Sequence, residues 1–125
     1  MRAEWVRAIC LALPGVTEEI LWGGELVFKV AGKMFCTVPL EPGGVWLSIQ
    51  VGDEEFAGLT ERPGIIPAPD LARAKWVALE NEEAMPPGEV KERIGRSWEL
   101  VAAKLPRKEQ ARILAGRRPC GPATG

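Results

Sequence analysis

Residues 26–38, LVFKVAGKMFCTV, form two short apolar runs bent about Ala31-Gly32 with a lysine on each arm, and no other stretch narrows the choice of fold as far. The pattern predicts a β-hairpin. With a two-residue loop at Ala31 and Gly32, Val30 faces Lys33 and Phe28 falls opposite Phe35. Side chains alternate along a strand, so Leu26, Phe28, Val30, Lys33 and Phe35 share one face and Val27, Lys29, Met34 and Cys36 the other. Both faces are partly apolar, so the ribbon has to pack against something. Its basic tip is the first place to look for a partner.

A chain of 125 residues is long enough for one domain with a real core and no metal or disulfide support. A single domain is expected over 1–115, with 116–125, rich in Gly and Pro, as a flexible tail. The net charge of -1 exerts no overall pull toward nucleic acid or membrane, so an electrostatic site needs local asymmetry. That asymmetry is present: up to Thr60 there are 4 basic and 8 acidic residues, and from Lys91 onward 9 basic and 3 acidic. The basic C-terminal part reads either as a phosphate-contacting face or as a solvated helix face with a loose tail.

The chain contains no histidine. Imidazole zinc sites, Ser-His-Asp and Cys-His catalysis and histidine acid-base chemistry are thereby excluded. Cys10, Cys36 and Cys120 are widely spaced and odd in number, which reads as reduced thiols in a cytoplasmic protein. The start, MRAEWVRAICLALPG, is too short and amphipathic for a signal peptide, and no window approaches the ~20 apolar residues of a membrane span. A soluble monomer without cofactor, and not an enzyme, is expected.

In chain order, Arg2 to Leu13 reads as an amphipathic helix with Trp5, Ala8, Ile9, Ala12 and Leu13 on its stripe, ended by Pro14-Gly15. Glu19 to Trp22 reads as a short edge strand before the hairpin. Val45, Leu47, Ile49 and Val51 alternate with Trp46, Ser48 and Gln50, predicting a half-buried strand with Trp46 on the outside. Asp53 caps a short helix through Leu59, the proline-rich IIPAPDL is an extended loop, and Lys75 to Glu80 returns as a strand. The longest helix runs from about Glu89 to Leu105, with Val90, Ile94, Ser97, Trp98, Val101 and Leu105 on its buried face, and RKEQARILAG adds a further turn or short helix. This order predicts an α+β two-layer sandwich: an antiparallel sheet with helices on one face.

Clustered cations beside aromatic rings suit a phosphate backbone with stacked bases, and Lys29, Lys33, Arg73 and Lys75 form such a set if hairpin and loop are neighbours. Edge lysines also serve to block strand pairing. Trp46, Trp76 and Met34 are candidates for a ligand or stacking surface on the uncovered sheet face, with core filling the alternative for each indole. Trp5 and Trp98, on helices, read as core. The acidic runs at Glu18, Asp53 and Glu82 fit caps and solubility better than a metal or acid-base site, and Cys10 and Cys36 read as buried and inert.

Four motifs in order, LALPGVTEE, VFKVAGKMF, PGIIPAPDLARAKWVALE and SWELVAAKLP, resemble the MmcQ/YjbR-like family of small bacterial proteins, over about Ile9 to Leu114. The resemblance implies a fold like that of CyaY and frataxin and a DNA-binding role described as a double-wing module. The positions that match its motifs are Phe28, Gly32, Lys33, Phe35, Leu71, Arg73, Trp76, Ser97, Lys104 and Pro106. Two departures are Asp70, where the family often has an aromatic, and Trp98 in place of a tyrosine. Asp70 beside Arg73 would repel phosphate. Iron binding by a frataxin-like fold needs an acidic ridge on the first helix, where this chain has only Glu4, so no metal is expected. The expected nucleic-acid contacts are Lys29, Lys33, Arg73, Lys75 and Lys104; the alternative is a small molecule or protein on the uncovered sheet face, and no membrane partner is expected.

Overall fold

A computed structural model describes residues 2–41, 44–68 and 75–117. Helix α1 (Arg2–Leu11) leads into strands β1 (Val16–Leu21), β2 (Glu25–Val30), β3 (Lys33–Pro39) and β4 (Leu47–Gln50). Helix α2 (Asp53–Thr60), strands β5 (Ile65–Pro67) and β6 (Trp76–Leu79), a 3-10 turn (Glu82–Ala84), helix α3 (Pro87–Ala103) and helix α4 (Arg107–Arg117) follow among the described residues. The strands form one sheet in the order β1-β2-β3-β4-β6-β5, with every neighbouring pair antiparallel. The chain is α+β: residues from all four helices join the core on one face of the sheet, among them Val6 and Cys10, Leu59, Ile94 and Ile113.

The hairpin turn is the expected one. Ala31 and Gly32 both have positive φ, 52° and 81°, and Val30 pairs with Lys33. The register beyond the tip differs from expectation. A bulge shifts the pairing between Phe28 and Lys29, so that Phe28 faces Cys36 rather than Phe35. The parity of β3 changes there, and Phe35 and Cys36 both join the helix-side core, while Met34 stays on the other face with Trp76. A bulge inserts one unpaired residue and reverses which side its neighbours meet. Ser97 resolves the consequence: its Oγ donates 2.7 Å to the Phe35 carbonyl from a fully buried position on α3.

Several expected boundaries shift. The segment read as a proline-rich loop supplies β5, whose Pro67 lies on the sheet edge, where a missing N–H is tolerated. The strand expected from Val45 begins only at Leu47. Val45 packs on the far-face cluster and Trp46 on the helix-side core, its indole N–H donating 2.9 Å to the Asn81 carbonyl. Trp46 is therefore half-buried and not the exposed indole predicted from alternation. On α1, Val6 and Cys10 face the core, whereas Trp5 is 38% exposed and overlooks a groove between α1 and α3. Trp98 is partly buried, its N–H donating 3.0 Å to the Pro14 carbonyl. Helix α4 takes in residues 116 and 117, the start of the expected tail; 118–125, including Cys120, lie outside the described residues.

The far face of the sheet is not open. Val27, Thr37, Ser48, Trp76 and Ala78 are all buried there, Trp76 at 3% exposure. A ligand platform of Trp46, Trp76 and Met34 does not assemble, since Trp46 packs toward the helices and the other two lie across the sheet.

Candidate functional site

The register gathers the expected cations by strand end. Strands β3, β4 and β6 align so that the Ala31-Gly32 turn, Gln50 and Trp76 lie at the same end. Lys33 opens β3 and Lys75 immediately precedes β6, so both stand at that end. Helix α3 crosses Phe35 at Ser97 and delivers its last turn, with Lys104 just beyond, to the same place. Lys33 and Lys104 are exposed there, and Arg107 and Lys108, which follow Lys104 in sequence, are exposed as well. Lys29 differs. It sits one residue inside the turn on the far face, its ammonium 3.3 Å from the Glu19 carboxylate. Arg73 lies outside the described residues.

Between the α2 N-terminus, the end of β4 and the last turns of α3 lies an open cleft of about 920 Å³, with Lys75, Arg96 and Lys104 on its walls. Asp53, Glu54, Glu55 and Glu99 line it too. Glu55 is bound by Arg93 at 2.9 Å and Arg96 at 3.2 Å. Burial alone pushes the Glu55 carboxyl up, but the Arg93 hydrogen bond, the charges of Arg93 and Arg96 and the Gly52 amide together bring it below the ordinary carboxylate range. Lys75 has φ +63°, and its ammonium rests 5.0 Å from the centre of the Phe56 ring. A non-glycine residue in the left-handed region stores strain, and the cation–π contact offsets part of it. Sequence reasoning found Lys75 and Lys104 but missed the α2 start, Arg96 and Glu99, whose helical positions gave no sign of meeting the sheet end.

The opposite end of the sheet is acidic, carrying Glu25, Glu41, Glu80, Glu82 and Glu83 at the strand ends and the 3-10 turn. Among the described residues no group of three or more Cys, Asp and Glu is placed to hold a metal ion. No described helix is long and apolar enough to cross a membrane.

The YjbR family model matches residues 11–100, spanning the hairpin, all six strands and most of α3. The chain belongs to the YjbR family. Against a relative from Escherichia coli O157:H7, the uncharacterized protein YbdF, it is 27% identical over 118 residues, which cover 90% of this chain and 94% of that one. The crystal structure of the Deinococcus radiodurans protein DR2400, a DUF419 domain, superposes with a TM-score of 0.81 at 24% identity, covering 89% of this chain and 86% of the other. That likeness is one of fold.

Proposed function

We propose that this YjbR protein is a binding module rather than a catalyst, and that it holds the phosphate backbone of DNA against the basic end of its sheet. The observation that supports this reading is that Lys33, Lys75 and Lys104, three of the cations read from the sequence, stand at one sheet end, Lys75 and Lys104 on the walls of one cleft. The absence of histidine removes the commonest acid-base catalyst. The carboxylates that line the cleft, Asp53, Glu54, Glu55 and Glu99, repel phosphate from it, so the contacts fall to the exposed Lys33 and Lys104 at the sheet end. Duplex DNA binding, followed by anisotropy, is expected to weaken steeply with salt. Lys33→Ala with Lys104→Ala lowers affinity and reduces the salt slope by about two, while Lys29→Ala, already tied to Glu19, changes little. Absence of binding at low salt refutes the reading.

One observation favours a second reading, a small zwitterionic ligand in the cleft itself. Lys75 is held in a strained conformation over Phe56 at a site that also carries free-standing carboxylates of opposite sign. Such a ligand raises the melting temperature with a far shallower salt dependence than a polyanion shows, since it carries no net charge, and Lys75→Ala abolishes that rise. A screen of amino acids and related zwitterions without any thermal shift removes it.

A further inference from the structure

Strand β1 is a six-residue sheet edge with one partner, β2, among the described residues. The Gly24 amide donates 3.1 Å to the Leu21 carbonyl and closes the β1–β2 turn. Antiparallel residues alternate in the direction of their backbone groups, so Leu21, Glu19 and Thr17 address β2, and Val16, Glu18 and Ile20 address the outside. An edge of this kind is ordinarily protected by charge, proline or a bulge. Here β1 has no proline, and its pairing with β2 runs without a register shift. Its two charges are cancelled within the chain: Arg7 grips Glu18 through two bonds of 2.7 Å, and Lys29 meets Glu19 at 3.3 Å. The other edge, β5, is three residues long and ends in Pro67.

The same edge displays apolar surface. Ile20 is 61% and Trp22 67% exposed, the two largest exposures among the big hydrophobic side chains described. Trp22 sits at φ +51°, a conformation that disfavours a tryptophan and suits glycine. The turn closed by Gly24 requires that positive φ, with Gly23 at 76° beside it, but it does not require an indole, and the one placed there stands out in water beside an unpaired strand.

We propose that β1 is a dimer interface, pairing antiparallel with β1 of a second copy about a two-fold axis at Glu18 to give a continuous twelve-stranded sheet. A second copy fits because the outward residues complement themselves. With Glu18 opposite its own equivalent, Val16 faces Ile20 on both sides of the axis, and all three pairs use outward-directed backbone groups. The two central carboxylates each arrive with a bound guanidinium, so the centre of the interface is two ion pairs rather than two bare negative charges. Trp22 then extends past the partner's strand and covers apolar surface near the start of its β1.

The test is light scattering coupled to size exclusion over a concentration series of the full chain. The mass is expected to rise from 13.6 kDa toward twice that value. Trp22→Gly removes the indole and relieves the positive φ, so it weakens dimerisation by about ten-fold or more. Measured at a concentration where both chains are monomers, its melting temperature is unchanged or higher. Ile20→Pro removes an outward N–H that β2 does not use and also yields a monomer, with circular dichroism confirming the fold. A parent chain that stays monomeric at its highest soluble concentration overturns the proposal. So does a dimer that survives both substitutions, or a monomer whose edge takes up only a foreign extended peptide.

Discussion

Ser97 shows how one side chain answers a backbone irregularity far away in sequence. The β3 bulge removes Phe35 from the ladder, and its carbonyl, buried beneath α3, takes its hydrogen bond from the Ser97 hydroxyl instead. Replacing Ser97 by Ala leaves a buried acceptor unpaired and is expected to cost about 1–3 kcal/mol, read from urea unfolding. A Ser97→Ala chain as stable as the parent refutes the assignment. The sequence placed Ser97 on a buried helix face but offered no reason for a hydroxyl there. That reason exists only because of the bulge, and the bulge is silent in the pattern: Phe35 and Cys36 are both apolar, so either register looks acceptable. Gly64 is a second position of this kind. At φ +83° its absent Cβ would come within 2.9 Å of the Ala84 Cβ, so Gly64→Ala is expected to lower the melting temperature through both strain and overlap.

Among the elements, the hairpin was the most legible because its turn chemistry is local. A two-residue turn of this type has positive φ at both positions, and Ala31 at 52° meets that need against its own preference. Ala31→Asn is therefore expected to stabilise the protein by about 1 kcal/mol, and Gly32→Ala to destabilise it by a similar amount. Equilibrium unfolding of the two variants checks both signs. The helices and later strands were readable in kind but not always in facing. On α1 two apolar stripes run side by side, and the choice of core stripe between Val6-Cys10 and Trp5-Ala8 depends on where α3 lies, which periodicity does not contain. Trp46 was misplaced for a related reason. Its indole follows the turn into β4 and reaches the Asn81 carbonyl, a partner distant in sequence. The two candidate lysines that do share a wall, Lys75 and Lys104, are brought together by sheet order and the path of α3, neither of which has a local signal.

At the scale of the whole molecule, a net charge of -1 conceals an uneven distribution, acidic at the sheet end that carries Glu25, Glu41, Glu80, Glu82 and Glu83 and mixed at the other, and ion pairs fasten the elements between them. Arg62 grips Glu89 at 2.6 and 3.0 Å and ties the end of α2 to the start of α3, while Glu55 joins α2 to Arg93 and Arg96. The Arg62 hydrogen bond holds the Glu89 carboxyl below its ordinary value, and the Arg7 hydrogen bond does the same for Glu18 between α1 and β1. A carboxyl whose folded pKa lies below its unfolded one contributes stability that is complete above the unfolded pKa and is lost as pH falls through the folded one. Three such groups predict a unfolding midpoint that is flat near neutrality and declines on acidification below about pH 5. Arg62→Met paired with Glu89→Gln removes one of the three, so its chain should start lower at neutral pH and converge on the parent in acid. Midpoints taken along a pH series decide it: two parallel curves mean that the bridge between α2 and α3 adds nothing to acid sensitivity, and converging curves mean that the electrostatic fastening of the helix layer is what acid undoes.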